Sequence, residues 1–200
     1  DFDNVLPQAV RARSFDDAHY LSSLQFATHP DNVALVLAFT HALGIDRDTA
    51  LRGMRAARPD AGMAGPFMVG AGYIINAFAV NDAASFARVM VPLWALHQPV
   101  HLLYNHRSDR AYRLNVFAAA VKNMPMASLA VMGEGTAQAA RVFKKRTGRD
   151  VQVVHDPQGW IASLCQQPCH VVCFGNIKGA GLALVEHWMK EGTCWTQPLR

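Results

Sequence analysis

The sequence predicts an α/β fold in which a doubly wound, mostly parallel β-sheet is preceded by helices. Beyond residue 72, short apolar runs rich in Val, Ile and Leu alternate with stretches of helical periodicity. Continuous apolar runs of this kind are typical of parallel strands, because helices cover both faces of such a sheet. Glycines and polar residues follow several of the runs, as expected for the loops that leave the strands.

Five strands and five helices are expected to alternate in this part of the chain. The predicted strands are 73–80, 100–104, 127–132, 151–155 and 170–174. The predicted helices are 84–96, 111–122, 136–146, 159–166 and 182–190. Residues 67–69 could add an edge strand to the same sheet.

The N-terminal part predicts two helices before the sheet. Apolar positions recur at helical spacing from Val33 to Leu43, and Gly44 gives a stop signal. Asp46 is then expected to cap a second helix that carries Leu51. Proline and glycine are frequent from 58 to 72, so we place a domain boundary near residue 65, dividing the chain into 1–65 and 66–200.

One face of the first of these helices is predicted to seek a partner. An unpartnered apolar face could drive homo-oligomerisation. The four residues assigned to this face are Val33, Val36, Leu37 and Leu43.

Composition limits the function classes. With 51% hydrophobic and 17% charged residues, the chain can bury a sizeable core. The formal net charge of +4 is mild, and its only basic run, 144–146, reads as a solvated helix face. We therefore expect no nucleic-acid binding, although a positive field favours anionic ligands. No apolar segment reaches the roughly 18–20 residues of a membrane helix, so the chain as given is expected to be soluble.

Neither the cysteines nor the histidines predict a metal site. Cys165, Cys169 and Cys173 lack the close Cys-x-x-Cys spacing of zinc sites, and we expect them to be buried, reduced thiols. The histidines form no H-E-x-x-H pair. No G-x-S-x-G elbow occurs, and the glycines from 175 to 181 are not in the order of a dinucleotide fingerprint. A serine hydrolase and a Rossmann dehydrogenase are therefore disfavoured.

Polar residues follow each predicted strand, and parallel strands end at the same edge of a sheet. Asn81 and Asp82 follow the first strand, and 105–110 follow the second. Gly133 and Glu134 follow the third, His155 and Asp156 the fourth, and Gly175 and Asn176 the fifth. Ordinary turn chemistry is the better explanation for any one loop alone. Taken together, the five loops favour a binding edge.

Three arginines in one of these loops are a candidate anion site. Arg107, Arg110 and Arg113 lie near a predicted helix start, and Asp109 could orient one of them. Guanidinium groups offer forked donors that suit phosphate and carboxylate. A loop network in which Asp109 caps the helix and the arginines remain solvated explains the pattern equally well.

Several of these segments, taken together, resemble the Mur ligase superfamily, and within it the poly-γ-glutamate ligases. The resemblance covers about residues 29–190. It rests on the helix start 29–33 with the turn 43–45, the motif 76–82, the Gly133-Glu134 pair and the loop 175–181. It implies a Rossmann-like C-terminal domain, preceded by the last helices of a central ATPase domain.

The resemblance also implies roles for individual residues. Nucleotide contacts fall on Asn32, Asn76, Asn81 and Asp82. Substrate or anion contacts are assigned to Arg107, Asp109, Arg110 and Arg113 from the guanidinium chemistry of their loop. They are also assigned to Gly175, Asn176 and Lys178 in the loop 175–181 that carries the resemblance. The chain departs from the Mur pattern at two places, since the hinge Gly-Arg pair is Gly62-Met63 and the motif histidine is Val80. Arg58 or the arginines at 107–113 could replace the hinge arginine.

The implied activity is ATP- and Mg²⁺-dependent amide ligation, in which glutamate is added to poly-γ-glutamate through an acyl-phosphate. The sequence contains no G-x-x-x-x-G-K-[ST] loop, so the phosphate-binding machinery is expected upstream, and this chain alone is expected to be inactive. Expected partners are that ATPase part and the membrane subunits of a synthase complex, with a cytoplasmic, peripherally membrane-associated location. Two alternatives stay open, a non-catalytic module that docks such a complex and a flavodoxin-like nucleotide-binding protein.

Overall fold

The computed structural model describes residues 15–24, 30–57, 61–62 and 66–191. These residues fall into two units, one on each side of residues 58–60. The predicted domain boundary near residue 65 lies outside the described residues and stays a prediction.

The described residues of the first unit form three helices. They are α1 (Ala18–Ser22), α2 (Pro30–Ala42) and α3 (Arg47–Ala56). Asp46 caps α3 as predicted, accepting a 2.9 Å hydrogen bond from the Thr49 N–H. The Tyr20 hydroxyl donates to the Leu51 carbonyl at 2.9 Å and so joins α1 to α3.

The prediction of which residues form the unpartnered apolar face of α2 is wrong. Val33 is buried with Ala34, Phe15 and Tyr20, and Leu37 packs against this cluster. α3 and residues 15–24 cover this side of α2, so the exposed apolar side is a different one. It consists of Leu35, Val36, Phe39 and Leu43. Homo-oligomerisation through α2 stays a prediction.

The second unit is a six-stranded sheet in the order β1-β2-β6-β3-β4-β5. Its strands are β1 (Phe67–Val69), β2 (Gly72–Ala77), β3 (Val100–His106), β4 (Ser128–Gly133), β5 (Gln152–Val153) and β6 (His170–Gly175). β1 pairs antiparallel with β2, which confirms the predicted edge strand. All other neighbours are parallel, so the predicted mostly parallel sheet is confirmed.

Four helices connect the strands, and a fifth follows β6. They are α4 (Ala83–Ala95), α5 (Ala111–Ala120), α6 (Thr136–Thr147), α7 (Pro157–Leu164) and α8 (Ala180–Lys190). A 3₁₀ turn, Ser108–Arg110, leads into α5.

Three predicted strand ends were wrong. β2 ends at Ala77, because the chain turns there and the Val80 N–H bonds the Ala77 carbonyl. β3 continues through His106, and β5 has only two residues.

The two faces of the sheet have different cores. Leu103 of β3 belongs to a cluster with Phe67, Val171 and Trp188 beneath α7 and α8. Its neighbour Tyr104 points to the other face, where it packs against Phe117, Phe143 and Phe174. Successive side chains of a strand point to opposite faces of the sheet, so β3 contributes residues to both cores.

The turn between β1 and β2 packs against the segment that leads from α7 into β6. Cys165, Cys169 and Cys173 are buried and free in this region, as predicted. Burial raises the pKa of the Cys165 thiol to about 12, so this thiol stays protonated at neutral pH. The Ala71 N–H bonds the Cys165 carbonyl at 2.7 Å, which leaves little space at the adjacent Gly70.

Gly70→Ala should destabilise the protein more than Gly148→Ala. Both glycines have positive φ, +55° and +70°, but a Cβ at Gly70 would lie 2.6 Å from the Cys165 carbonyl oxygen, whereas Gly148 has open space. We expect overpacking to add about 1–3 kcal/mol at position 70. Urea unfolding of both variants measures the difference, and equal losses would contradict the close packing.

Acid should weaken folding through histidines that are buried or partly buried. Burial lowers the pKa of His170, His106 and His101 below the ordinary value near 6.5. Below that pH the unfolded chain binds more protons than the folded one, so stability is complete above about pH 6.5 and falls as the pH drops. His170→Phe keeps a ring stacked on Tyr73. Between pH 7.5 and 5, we expect this variant to lose less unfolding free energy than the wild-type protein does. A variant with unchanged pH dependence would show that His170 does not contribute.

Candidate anion-binding cavity

A cavity of about 520 Å³ opens where β2, β6 and β3 end. Ligands of open parallel sheets bind at this edge. The lining residues are Ala61, Gly62, Phe78, Ala79, Asn81, Arg107, Arg110, Arg113, Asn176, Ile177 and Lys178.

Six of the residues that the sequence assigned to binding line this cavity. They are Asn81, Arg107, Arg110, Arg113, Asn176 and Lys178. Four of the six carry a positive charge, and they come from two separate segments of the chain, the one after β3 that runs into α5 and the one after β6. The sheet order explains this, since β6 lies between β2 and β3 and brings its loop next to theirs.

The other predicted residues lie elsewhere or make internal contacts. Asn32 is exposed on α2, in the first unit. Asp82 caps α4, and the hydrogen bonds that it accepts from Ser85 lower the pKa of its carboxyl group. Asn76 donates to the Ala61 carbonyl at 2.8 Å. Arg58 and Met63 lie outside the described residues.

The loop 107–110 holds one arginine in an ion pair. An Nη of Arg107 lies 2.6 Å from a carboxylate oxygen of Asp109. The alternative in which Asp109 caps the helix is wrong, because the N-cap residue of α5 is Arg110 and no side chain caps the helix. Asp109 instead orients Arg107, as the sequence allowed.

Arg113 is tied to the loop that follows β6. Its guanidinium donates to the Gly175 carbonyl at 3.3 Å and to the Asn176 Oδ1 at 3.2 Å. The hydrogen bonds from Arg113 and Arg110, with their charges, lower the pKa of the exposed Tyr112 phenol. Arg113 therefore joins α5 to the end of β6.

Asn105 and Asn176 interlock the ends of β3 and β6. The Asn105 side-chain amide donates to the Asn176 carbonyl and to the Lys178 carbonyl, the latter at 3.1 Å. The Asn176 backbone N–H bonds the Asn105 carbonyl at 3.1 Å. Both side chains are buried, with 1% and 3% exposure. This interlock fixes the backbone on which Lys178 reaches the cavity.

Sequence reasoning missed Asn105 as an individual residue. It treated 105–110 as one loop, whereas Asn105 is inside β3 and pairs in register with Gly175. A polar residue directly after the apolar run Leu102–Tyr104 was the available signal.

His106 and Tyr104 are also buried polar residues at this end of β3. His106 Nδ1 and the Tyr104 hydroxyl have no hydrogen-bond partner within the described residues. Burial raises the pKa of Tyr104 above its usual range and lowers that of His106, although Glu134 opposes the latter effect. Both groups are therefore neutral at neutral pH.

The described parts of the chain contain neither a metal-ligating cluster nor a membrane-spanning helix. No cluster of three or more His, Cys, Asp or Glu side chains suited to a metal ion occurs there. Every helix there is too short or too polar to cross a lipid bilayer.

Solved structures identify the fold class. The chain is similar to MurF from Acinetobacter baumannii, with a TM-score of 0.58 and 14% identity over 84% of this chain and 38% of that one. It is similar in the same way to folylpolyglutamate synthase from Thermotoga maritima, with a TM-score of 0.58 and 15% identity over 86% of this chain and 41% of that one. The second unit thus has the Rossmann-like fold of a Mur ligase C-terminal domain.

Sequence comparisons give the family. The profile of the poly-gamma-glutamate synthase CapB C-terminal domain matches residues 67–191, and the chain belongs to this family. It is 31% identical over 183 residues to PGA synthase CapB of Bacillus subtilis (strain 168), covering 84% of this chain and 46% of that protein. It is 30% identical over 188 residues to capsule biosynthesis protein CapB of Bacillus anthracis, covering 86% and 40%. The chain therefore spans less than half the length of these relatives.

Asn105→Asp should destabilise the second unit. The change removes the amide donor and places carboxylate oxygens against two carbonyls, which should cost at least about 1–3 kcal/mol. Asn115→Asp makes the same chemical change at an exposed position of α5 and is the matched control. Urea unfolding compares them, and a loss no larger than that of Asn115→Asp would contradict the interlock.

Proposed function

We propose that this chain is the C-terminal part of an ATP- and Mg²⁺-dependent amide ligase that adds glutamate to poly-γ-glutamate. Membership of the CapB C-terminal family supports the reaction class. The observation that carries the proposal is the cavity at the strand ends, where four cationic side chains converge. Such a cavity fits an anionic substrate.

The four cations divide into two groups. Arg107 is paired with Asp109, and Arg113 is bonded to Gly175 and Asn176. Arg110 and Lys178 form no ion pair with an acidic side chain of the described residues. We assign to these two the binding of substrate carboxylate, with Arg107 and Arg113 shaping the cavity around it.

The residues present fit an anionic group better than they fit a whole nucleotide. The cavity offers guanidinium and ammonium donors, and Asn81 adds a side-chain amide. The phosphate-binding loop that ATP requires is absent from the sequence. We propose that this loop, and most of the Mg²⁺ site, belong to another part of the complete ligase, while Asn32, Asn76, Asn81 and Asp82 stay candidate nucleotide contacts.

The proposed contribution of this chain is positioning. ATP supplies the phosphoryl group that converts the polymer's terminal carboxylate to an acyl-phosphate. The glutamate amine would then attack the acyl carbon, forming the C–N bond and losing a proton, while the acyl C–O bond breaks and phosphate leaves. Arg110 and Lys178 would hold the carboxylates of glutamate so that its amine faces the acyl carbon. Closure of this unit over the ATPase part would exclude water from the acyl-phosphate.

A cytoplasmic location with peripheral membrane association through synthase partners is part of the same proposal. The competing role is a non-catalytic module that docks the membrane subunits. Capture by those subunits would not separate the two roles, so the test must measure synthesis.

Arg110→Ala and Lys178→Ala in the complete ligase should each lower polymer synthesis about tenfold to hundredfold, because one charge-assisted contact is lost. Both side chains are exposed, so folding should be unaffected. Arg88→Ala, exposed on α4 and outside the cavity lining, is the control. Synthesis and thermal melting should be measured together. Near-normal synthesis by both cavity variants would refute this assignment and favour the docking module.

The isolated chain should not hydrolyse ATP at a useful rate, because its sequence has no phosphate-binding loop. Phosphate release from the purified chain measures this. A robust rate that Arg110→Ala abolishes would overturn the division of labour proposed here.

A further inference from the structure

The net positive charge of this chain is concentrated in ten residues. The whole sequence has nineteen Lys and Arg against fifteen Asp and Glu, a formal charge of +4. Residues 141–150 contain five of the cations and one of the acids, so this stretch alone carries +4. The remainder of the chain contains fourteen charges of each sign and is formally neutral. The net charge of the chain therefore equals the net charge of this stretch.

The structure places these cations on the outer side of α6 and the loop after it. All five are exposed, and we call them the basic ridge: Arg141, Lys144, Lys145, Arg146 and Arg149. Arg141 donates to the Ala137 carbonyl and Arg149 to the Met126 carbonyl. These bonds restrain the guanidinium groups without neutralising them. Only Lys144 has an acidic partner within the described residues, Asp150 at 2.8 Å.

Helix stability accounts for part of the ridge. Lys144, Lys145 and Arg146 lie in the last turn of α6, where cations interact favourably with the helix dipole. Arg141 lies before that turn and Arg149 beyond the helix end, so the dipole explains neither. The ridge therefore contains more cations than the helix needs.

We propose that the basic ridge binds the acidic polymer, holding the γ-linked glutamate chain outside the cavity. This inference rests on the proposed function, which gives the polymer as the substrate. A chain with one carboxylate per residue complements a row of cations, and the contact would be electrostatic and sensitive to salt.

The position of α6 suits this role. α6 begins at the edge of the sheet where the cavity opens, and it packs against α5, which carries Arg113 into that cavity. With a rise of 1.5 Å per residue, Arg141 and Lys145 lie roughly 8 and 14 Å along the helix from Thr136. Arg149 bonds the Met126 carbonyl, which precedes β4, so the ridge runs from Arg141 toward the opposite edge of the sheet. A polymer whose end occupies the cavity would meet Arg141 first and would follow α6 to the other cations.

The chemistry of α6 favours a soluble polyanion over a membrane or a nucleic acid. Among the described residues, none of the large exposed apolar side chains belongs to α6, whereas surface helices that insert into lipid carry such residues. Its one aromatic residue, Phe143, is buried and offers no ring for stacking on bases.

The test is a binding experiment on this 200-residue chain with soluble, labelled poly-γ-glutamate at low salt. Arg141→Glu/Lys145→Glu should weaken binding at least tenfold, and added salt should weaken wild-type binding. Arg88→Glu/Lys190→Glu changes the net charge equally at exposed positions on α4 and α8, and should retain wild-type binding within about twofold. Equal losses in both double variants, or no loss in the ridge variant, would overturn the proposal.

Three further measurements separate the explanations. Anionic phosphatidylserine vesicles or single-stranded RNA that bind the ridge while poly-γ-glutamate does not would overturn the proposal. A ridge variant with a lowered melting temperature and unchanged polymer affinity would show a helix-stabilising role only, and also overturn it.

In the complete ligase, the ridge variant should lose elongation of long acceptors while keeping that of short ones. If the wild-type ligase incorporates no glutamate, the proposed function fails, whereas polymer binding by the ridge is measured independently.

Discussion

The cavity depends on the interlock between Asn105 and Asn176. Parallel strands share backbone hydrogen bonds along their length, but the carbonyls beyond the last pair need other partners. Here one buried side-chain amide serves two of them, those of Asn176 and Lys178. Arg113 of α5 donates to the Asn176 side chain, so Asn176 also holds α5 against the end of β6. The Asn105 Oδ1 is buried without a partner in the described residues, so the interlock combines good hydrogen bonds with one unsatisfied acceptor.

Glycines make this interlock sterically possible. Gly175 has a φ of +102°, and a Cβ there would lie 2.6 Å from the Asn105 carbonyl oxygen and 2.7 Å from the Tyr104 ring. A Cβ at Gly181 would lie 2.8 Å from the Asn105 amide nitrogen. Gly175 and Gly181 therefore leave the space that Asn105 occupies, whereas Gly179 has open space around it.

The sequence predicted the features that follow from the order of strands along the chain. It missed the features that depend on which strands are neighbours in the sheet. Polar residues after apolar runs placed Asn81, the arginines and Lys178 at one edge, because all parallel strands end there. The same pattern put Asn105 in a loop, since its pairing with β6, seventy residues later, cannot be inferred from local periodicity. The error at α2 has the same origin. Val33 and Val36 have equal hydrophobicity in the sequence, and only the position of α3 and residues 15–24 decides that Val33 is buried while Val36 is exposed.

The positive charges of the second unit differ in how much freedom their contacts leave them. Arg113 and Arg107 have protein acceptors, so their side chains are restrained and their donors are partly used. Arg110 and Lys178 have no acidic partner in the described residues, and each comes from a loop that the interlock or the 3₁₀ turn holds in place. A cation that has no acidic partner and lies on a fixed backbone can bind a carboxylate with little loss of loop entropy, because the loop is already ordered. The buried asparagines, rather than the arginines that first indicated an anion site, therefore determine the geometry with which this cavity would hold its ligand.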